Sequence, residues 1–380
     1  MARILSSSLL LGVIALFGIG LVQVYSSSYI FATESYGDGL YFFQRQLLFT
    51  LMALVVLFGT ASIPFKYIER WGWTVWPAAA ALVALTFVPG FGVRVGGALR
   101  WLQLPFGIRF EPSELLKISF VLLFASLLNR REHFLSRVHW FWIIIGITAP
   151  FVLLLKQPDF GSFAIIMLVG VSLLFAFGLR WRWIVTTFAV LVPAFYLLVM
   201  KVPYRAARVH AFLDPWADPE QKGFQAIQSM MSFHAGGLTG AGLGQGQGKL
   251  FFLPEAHTDF TLAVFGEEMG FVGVMLLLAL YAFIVFRGVQ IAVKAEDSFK
   301  RATALGFSMV FGLSVFINAG VVTGLLPTKG LTLPFLSYGG SSLLCLAFMF
   351  GLLLSVESAV EGDPFTERFQ RLKKRNKGRA

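Results

Sequence analysis

The sequence has little charge and almost no cysteine. Charged side chains make up 13% of its 380 residues and hydrophobic ones 57%, whereas soluble domains carry about 25% charged residues. This composition excludes an ordinary soluble domain and indicates an integral membrane protein. The single cysteine, Cys345, lies in an apolar run. It therefore excludes an intrachain disulfide and a thiolate metal cluster.

Long apolar runs recur along the whole chain. Each approaches the roughly 20 residues that a helix needs to cross a bilayer. They predict an all-α integral membrane protein with ten transmembrane helices in one membrane domain, residues 1–358. The predicted spans are 8–25, 44–63, 74–89, 113–129, 139–155, 159–179, 183–200, 262–286, 302–325 and 339–358.

The distribution of Lys and Arg predicts the orientation of these helices. With the N-terminus inside, 19 of the 31 basic residues fall in inner segments and 11 in outer ones. Because positive residues collect on the cytoplasmic side, both termini are expected in the cytoplasm. The net charge of +11 does not point to nucleic acid, since no nucleic-acid-binding signature is present. We expect the basic cytoplasmic tail, residues 359–380, to contact anionic membrane lipid.

One predicted outer loop, residues 201–261, is much longer than the others. Loops of this length are usually functional or disordered. Phe224, Ile227 and Met231 recur at helical spacing, which predicts a helix lying on the membrane surface or one packed on the bundle. The Gly-rich run 236–249 is not a phosphate loop, because no Ser or Thr follows Lys249. An alternative interpretation of this run is a mobile flap over a site.

Several polar residues in or beside the apolar runs lie at the same predicted depth, in the outer half of the membrane. Glu114 and Lys117 are three residues apart and share a helix face, where they could also be a self-neutralised pair that only aids packing. The other members are Arg100, Gln157, Asp159, Lys329 and Ser337. Residues scattered in sequence but level in depth predict one cavity, and its cations suit an anionic substrate.

Asp259 stands where the long loop enters a membrane helix. A carboxylate at that depth is costly, so it is expected to have a chemical function. The alternative is that it caps the N-terminus of that helix.

Four motifs in this order, on ten predicted helices, resemble the SEDS family (shape, elongation, division and sporulation), over nearly the whole chain. They are Glu111-Pro-Ser-Glu-Leu-Leu-Lys117, Gln157-Pro-Asp-Phe-Gly161, Pro254-Glu-Ala-His-Thr-Asp-Phe260 and the segment 329–342. The segment 326–334 and the run 267–270 are more similar to division members than to elongation members, although the N-terminus is shorter than in many division members. An elongation role is the close alternative.

The resemblance implies a peptidoglycan glycosyltransferase that polymerises lipid II at the outer face of the cytoplasmic (inner) membrane. It also implies a class B penicillin-binding transpeptidase as partner, within a larger division or elongation complex. An α-linked pyrophosphate donor that becomes a β-1,4 glycoside needs a single inversion. No second carboxylate is then required as a nucleophile.

On this interpretation Asp259 is the general base toward the acceptor 4-hydroxyl. Arg100, Lys117 and Lys329 bind the pyrophosphate, and Glu114 holds Lys117 in place. Asp159 holds a neighbouring cation or binds a sugar. Gln157, His257 and Ser337 complete the substrate-binding set. No metal ligands are assigned; a hydrated Mg²⁺ or Mn²⁺ leaves almost no sequence signature.

Two functions from other classes compete with this interpretation. A flippase for lipid-linked precursors would also have polar residues in its bundle, but it should carry them through the full depth of the membrane. Secondary transporters often show related halves, and no internal repeat is evident. A scaffold that only recruits partners leaves Asp259 and the outer cations unexplained.

Overall fold

The computed structural model describes residues 2–95, 97–129, 137–178, 180–182, 185, 186, 189, 193, 196, 201, 203–221 and 223–360. Twelve α-helices are found in these residues. They are α1 (Ala2–Leu5), α2 (Ser8–Tyr36), α3 (Tyr41–Ala61), α4 (Phe65–Leu85), α5 (Pro112–Asn129), α6 (Arg137–Lys156), α7 (Phe160–Ala176), α8 (Pro203–Leu213), α9 (Phe224–Gly236), α10 (Thr261–Lys294), α11 (Ser298–Val322) and α12 (Gly340–Val360).

Six helices, α2, α3, α5, α10, α11 and α12, are long and apolar enough to cross a membrane. Nine of the predicted spans fall on helices of the structure. The predicted span 183–200 lies largely outside the described residues, as does the basic tail from residue 361 onward. The multi-pass helical architecture is confirmed, and the count of ten membrane helices stays a prediction.

Helix α2 continues well beyond its predicted end at residue 25. Three consecutive serines follow that point, and hydroxyls compete with the helical backbone for hydrogen bonds. In the structure the helix absorbs them. Ser28 Oγ donates to Val24 O at 2.6 Å, and Ser26 Oγ donates to a carboxylate of α10, Glu268. The polar run therefore lies inside a helix that reaches Tyr36.

The main core is formed by apolar side chains of α2, α3, α5, α10, α11 and α12. Helices α3 and α12 are in close contact at Gly351. A Cβ on Gly351 would lie 2.6 Å from Leu57 O and still closer to Thr60 Oγ1. This crossing therefore requires a residue without a side chain.

The segment before α5 forms a small antiparallel sheet of three strands, so the all-α prediction was wrong there. Its strands are β1 (Gly92–Val95), β2 (Ala98–Gln103) and β3 (Arg109–Phe110), and Val95 pairs with Ala98. Gly97, in the connection, has a φ of +83°, which glycine adopts without strain. The Gly-Gly pair directly after Val95 is a hairpin signal that the helix count passed over.

The long loop predicted at residues 201–261 contains two helices, α8 and α9. The predicted helix around Ile227 is α9, and its buried face packs on the bundle. Ser229 Oγ donates to Val322 O at the end of α11, at 2.6 Å, whereas Met231 is exposed. The packed alternative is thus confirmed. Helix α10, which follows the loop, is broken at Gly270, whose φ is +66°.

Candidate active site

The Glu114–Lys117 pair lies in the first turns of α5. Glu114 Oε1 and Lys117 Nζ are 2.8 Å apart, and Lys117 is buried. Both line a small cleft between α5, α11, α12 and the segment 331–334. Its other walls carry the hydroxyls of Ser314, Thr332 and Ser342 among apolar side chains. The predicted ion pair is present, at the wall of a partly polar cleft.

Asp159 and Lys329 are brought together from distant parts of the chain. Lys329 Nζ lies 3.7 Å from Asp159 Oδ1, and the same oxygen accepts from Ser162 N at 3.3 Å as the N-cap of α7. Asp159 Oδ2 is buried without a hydrogen-bond partner among the described residues. A buried carboxylate thus lies beside a cation.

Arg100 and Gln157 are near this pair, but their side chains bond to the protein itself. From β2, Arg100 Nε donates to Gln157 O at 3.2 Å and its Nη2 to Pro158 O at 2.6 Å. The Gln157 amide donates to Thr86 Oγ1 and Val83 O. These bonds fix the corner before Asp159. In this structure both residues act on the site through its shape and charge.

Asp259 lies one residue before the N-cap of α10, which is Phe260. Its side chain is half-buried and packs against Gly330, because a Cβ on that glycine would be 2.5 Å from Asp259 Oδ2. Asn318 Nδ2, on α11, donates to Asp259 O at 3.0 Å and to Leu331 O. The side-chain amide of Asn318 thus links the backbone at Asp259 to the backbone at Leu331. The sequence did not predict this role for Asn318.

Residues 329–332 connect the parts of the site. Lys329 faces Asp159, Gly330 contacts the Asp259 carboxylate, and Leu331 and Thr332 line the cleft with Glu114 and Lys117. The prediction that these groups share one region is consistent with this arrangement.

His257 and Ser337 stabilise the loops around Asp259. The His257 ring stacks on Phe31 with centroids 5.2 Å apart, and its backbone carbonyl accepts from Tyr338 N at 2.9 Å. Burial lowers the pKa of His257, against a smaller opposite effect of Glu255. Ser337 Oγ accepts from Leu333 N at 2.8 Å. Neither side chain lines the cleft.

Glu111 is the first residue of the 111–117 motif, and no role was predicted for it from the sequence. It lies just before α5, where Ser113 Oγ donates to Glu111 Oε1 at 3.2 Å. Burial, with Glu114 and Asp159 nearby, raises the pKa of Glu111 to about 8. At neutral pH the site therefore holds a protonated carboxyl group next to charged ones. Among the described residues, no group of three or more His, Cys, Asp and Glu could hold a metal ion.

Known proteins resemble this chain over nearly its whole length. A family model covering FtsW, RodA and SpoVE, described as cell cycle protein, matches residues 7–361. The probable peptidoglycan glycosyltransferase FtsW of Geobacter metallireducens is 41% identical over 94% of this chain and 95% of that protein. The protein of the same name from Trichlorobacter lovleyi is 42% identical over 94% of each.

Two solved structures share the fold. A chain of a peptidoglycan synthase complex that coordinates polymerization and crosslinking superposes with a TM-score of 0.76 at 30% identity, over 93% of this chain and 98% of that one. The rod shape determining protein RodA of Thermus thermophilus gives 0.68 at 27% identity, over 93% and 97%.

Proposed function

The chain belongs to the FtsW, RodA and SpoVE family of cell cycle proteins, and we propose that it is a peptidoglycan glycosyltransferase of septal cell-wall synthesis. Its curated relatives are named probable peptidoglycan glycosyltransferase FtsW, and the similarity to them extends over nearly their whole length. The proposed reaction polymerises lipid II into β-1,4 glycan strands, with inversion at the donor carbon.

Asp259 is the proposed general base. Its half-buried carboxylate adjoins the segment that carries Lys329, and this neighbourhood is the observation that carries the proposal. The carboxylate takes the proton of the acceptor 4-hydroxyl as the oxygen attacks the donor sugar carbon. The bond from that carbon to the pyrophosphate breaks, and the lipid pyrophosphate leaves with the electron pair.

The cations of the site supply electrostatic stabilisation for the leaving pyrophosphate. Lys117 lines the cleft and is paired with Glu114, while Lys329 is held by Asp159. Preorganised charges of this kind act strongly where water is excluded. Arg100 adds positive potential and fixes the corner at Gln157 and Pro158. His257 and Ser337 are proposed to keep the substrate-binding loops in place.

The proposed location is the cytoplasmic (inner) membrane, with ten transmembrane helices, both termini inside and the active site at the outer face. The bias of basic residues toward the inner segments supports this orientation. A class B penicillin-binding transpeptidase is the proposed partner, because a new glycan strand must be crosslinked. The related chain in a peptidoglycan synthase complex supports that pairing.

Polymerisation of lipid II by the purified protein tests the proposal. The assay compares the protein alone, the protein with its cognate transpeptidase, and both with Asp259→Asn in place of the wild type. We expect glycan product with the wild type and almost none with Asp259→Asn. No product from a folded wild-type protein together with its partner would refute the function.

A further inference from the structure

Helix α10 carries two consecutive carboxylates, Glu267 and Glu268, that have no part in the proposed chemistry. They are 3% and 1% exposed, close to the break at Gly270. A buried charge in a membrane helix is costly unless it is paired and hydrogen-bonded. Glu268 is paired with Lys249, which follows the Gly-rich segment 236–248, and Glu267 accepts hydrogen bonds from the backbone of that segment.

Glu268 connects three parts of the chain. Lys249 Nζ lies 2.8 Å from Glu268 Oε1, and Ser26 Oγ, on α2, donates to the same carboxylate at 2.6 and 2.8 Å. Lys249 Nζ also donates to Ser26 Oγ at 3.3 Å. All three side chains are buried. This Ser26–Lys249–Glu268 cluster is called the outer clamp below.

Glu267 holds the backbone immediately before Lys249. Its Oε1 accepts from Gln247 N at 2.6 Å and its Oε2 from Gly248 N at 3.0 Å. A Cβ on Gly248 would approach Glu267 Oε2 to 2.8 Å. The fit between this carboxylate and the segment is therefore close.

The break at Gly270 lets the Gly-rich segment hydrogen-bond to α10. Ala241 N and Gly242 N donate to the carbonyls of Glu267 and Glu268 at 2.9 and 3.0 Å, and Phe271 N donates to Gly237 O at 2.9 Å. Positive φ at Gly270 interrupts the helical ladder and frees these groups. In this structure the segment is docked on the helix, which argues against the alternative of a mobile flap.

The outer clamp joins the two ends of the chain segment 249–268, which contains Asp259. Lys249 precedes Asp259 by ten residues, and Glu268 follows it by nine. We propose that Ser26, Lys249 and Glu268 are positioning residues that hold the Asp259 carboxylate in its catalytic place. The inference rests on the glycosyl transfer proposed above. A displacement of about 1 Å at a reacting group costs about 10² fold in rate, so a loosened clamp should lower kcat.

The opposite end of α10 provides a matched control. There Arg287 Nη2 lies 3.1 Å from Glu357 Oε1, and Ser7 Oγ donates to Glu357 Oε2 at 2.6 Å. This inner clamp has the same chemistry, namely a serine, a carboxylate and a cation. The chain between Arg287 and Glu357 includes Lys329 and Ser337, but none of the three inner-clamp residues lies within the stretch 249–268 that contains Asp259.

The experiment compares Lys249→Met/Glu268→Gln with Arg287→Met/Glu357→Gln. Each double variant removes both charges, so neither leaves an unpaired buried charge. Polymerisation kinetics and hydrogen exchange of residues 250–260 are measured in the full-length protein. For the outer variant we expect faster exchange and a kcat lowered at least about tenfold, with KM within about twofold because the cations of the cleft remain. The inner variant should keep wild-type exchange in this stretch and wild-type kcat per folded molecule.

If a double variant does not fold, Ser26→Ala and Ser7→Ala replace the two double variants, because each single variant keeps both charges of its clamp. Ser26→Ala should raise exchange in residues 250–260, and Ser7→Ala should not. The proposal would be overturned if the outer and inner double variants, or Ser26→Ala and Ser7→Ala, had equal effects. Unchanged kcat and exchange in the outer variant would also overturn it. Hydrogen exchange does not depend on turnover. A protein that makes no glycan at all but loosens only in the outer variant would therefore refute the proposed function and leave the clamp standing.

Discussion

Asp259 is held by its surroundings on several sides. Asn318 binds its carbonyl oxygen, and Gly330 leaves room for its carboxylate. Asp259→Asn keeps the size of the side chain but cannot accept the proton. We expect normal folding and a loss of polymerisation of roughly 10²–10⁴ fold. The measurement is glycan yield per folded molecule; a yield near that of the wild type would remove Asp259 from its proposed role.

Glu111 gives the protein a specific dependence on pH. Its pKa is raised from the ordinary value of 4.5 to about 8, so the folded state binds the proton more tightly than the unfolded one. This contribution to stability is complete below about pH 4.5 and is lost as the pH rises through about 8. Glu111→Gln cannot ionise and should therefore lose less stability between pH 5 and pH 9.

Melting temperatures of detergent-solubilised protein at the two pH values measure this difference. Glu255→Gln is the matched control, since Glu255 is an exposed glutamate of the outer loop. Identical pH dependence of the wild type and Glu111→Gln would contradict the assignment of a protonated Glu111.

At the scale of elements, α5 presents Glu114 and Lys117 on one face toward the cleft. Removing either partner leaves the other as an uncompensated buried charge. Glu114→Ala and Lys117→Ala should each cripple polymerisation, and the double variant should be scarcely worse. The full cycle is measured as kcat/KM per folded molecule. Strictly additive losses would show that the two residues act separately.

The crossing of α3 and α12 depends on Gly351. Gly351→Ala would place its Cβ 2.6 Å from Leu57 O, so the helices must move apart. Overpacking of this kind costs about 1–3 kcal/mol, and the melting temperature should fall. Gly18→Ala in α2 is the control, because its Cβ would meet no atom within 4 Å. Equal melting temperatures for the two variants would show that the crossing tolerates a side chain.

At the scale of the whole molecule, the placement of charge separates a polymerase from a flippase. The proposed cavity holds its cations near the outer face, and at the inner end of α10 the described pair Arg287–Glu357 is neutralised. Carrying a pyrophosphate through the inner half would put its charges among apolar side chains, at a cost of several kcal/mol per charge. Polymerisation should therefore need substrate only in the outer leaflet.

Proteoliposomes of known orientation check this expectation. A lipid II analogue that does not flip by itself is confined to the leaflet contacted by the loop 201–261. It should be converted to glycan there and remain unused when it is confined to the other leaflet. Rapid transfer between leaflets without glycan product would instead establish a transporter.

Features that depend on neighbours along the chain could be predicted from the amino-acid sequence. Composition and apolar runs predicted a multi-pass helical membrane protein, and the three-residue spacing predicted the Glu114–Lys117 pair, since helical periodicity brings such residues to one face. Four motifs, one of them around Asp259, led to the family. Local patterns suffice here because each signal lies within about 20 residues, the length of one membrane helix.

Contacts between residues that are distant along the chain became apparent only in the three-dimensional structure. Asp159 and Lys329 are 170 residues apart, Ser26 and Glu268 are 242 apart, and no local pattern encodes such pairs. The same holds for Arg100, whose guanidinium donates hydrogen bonds to backbone carbonyls of another loop. The three-stranded sheet was missed because hydropathy over long windows does not register short strands. Buried polar groups must find partners wherever packing places them, and that placement is a property of the whole fold.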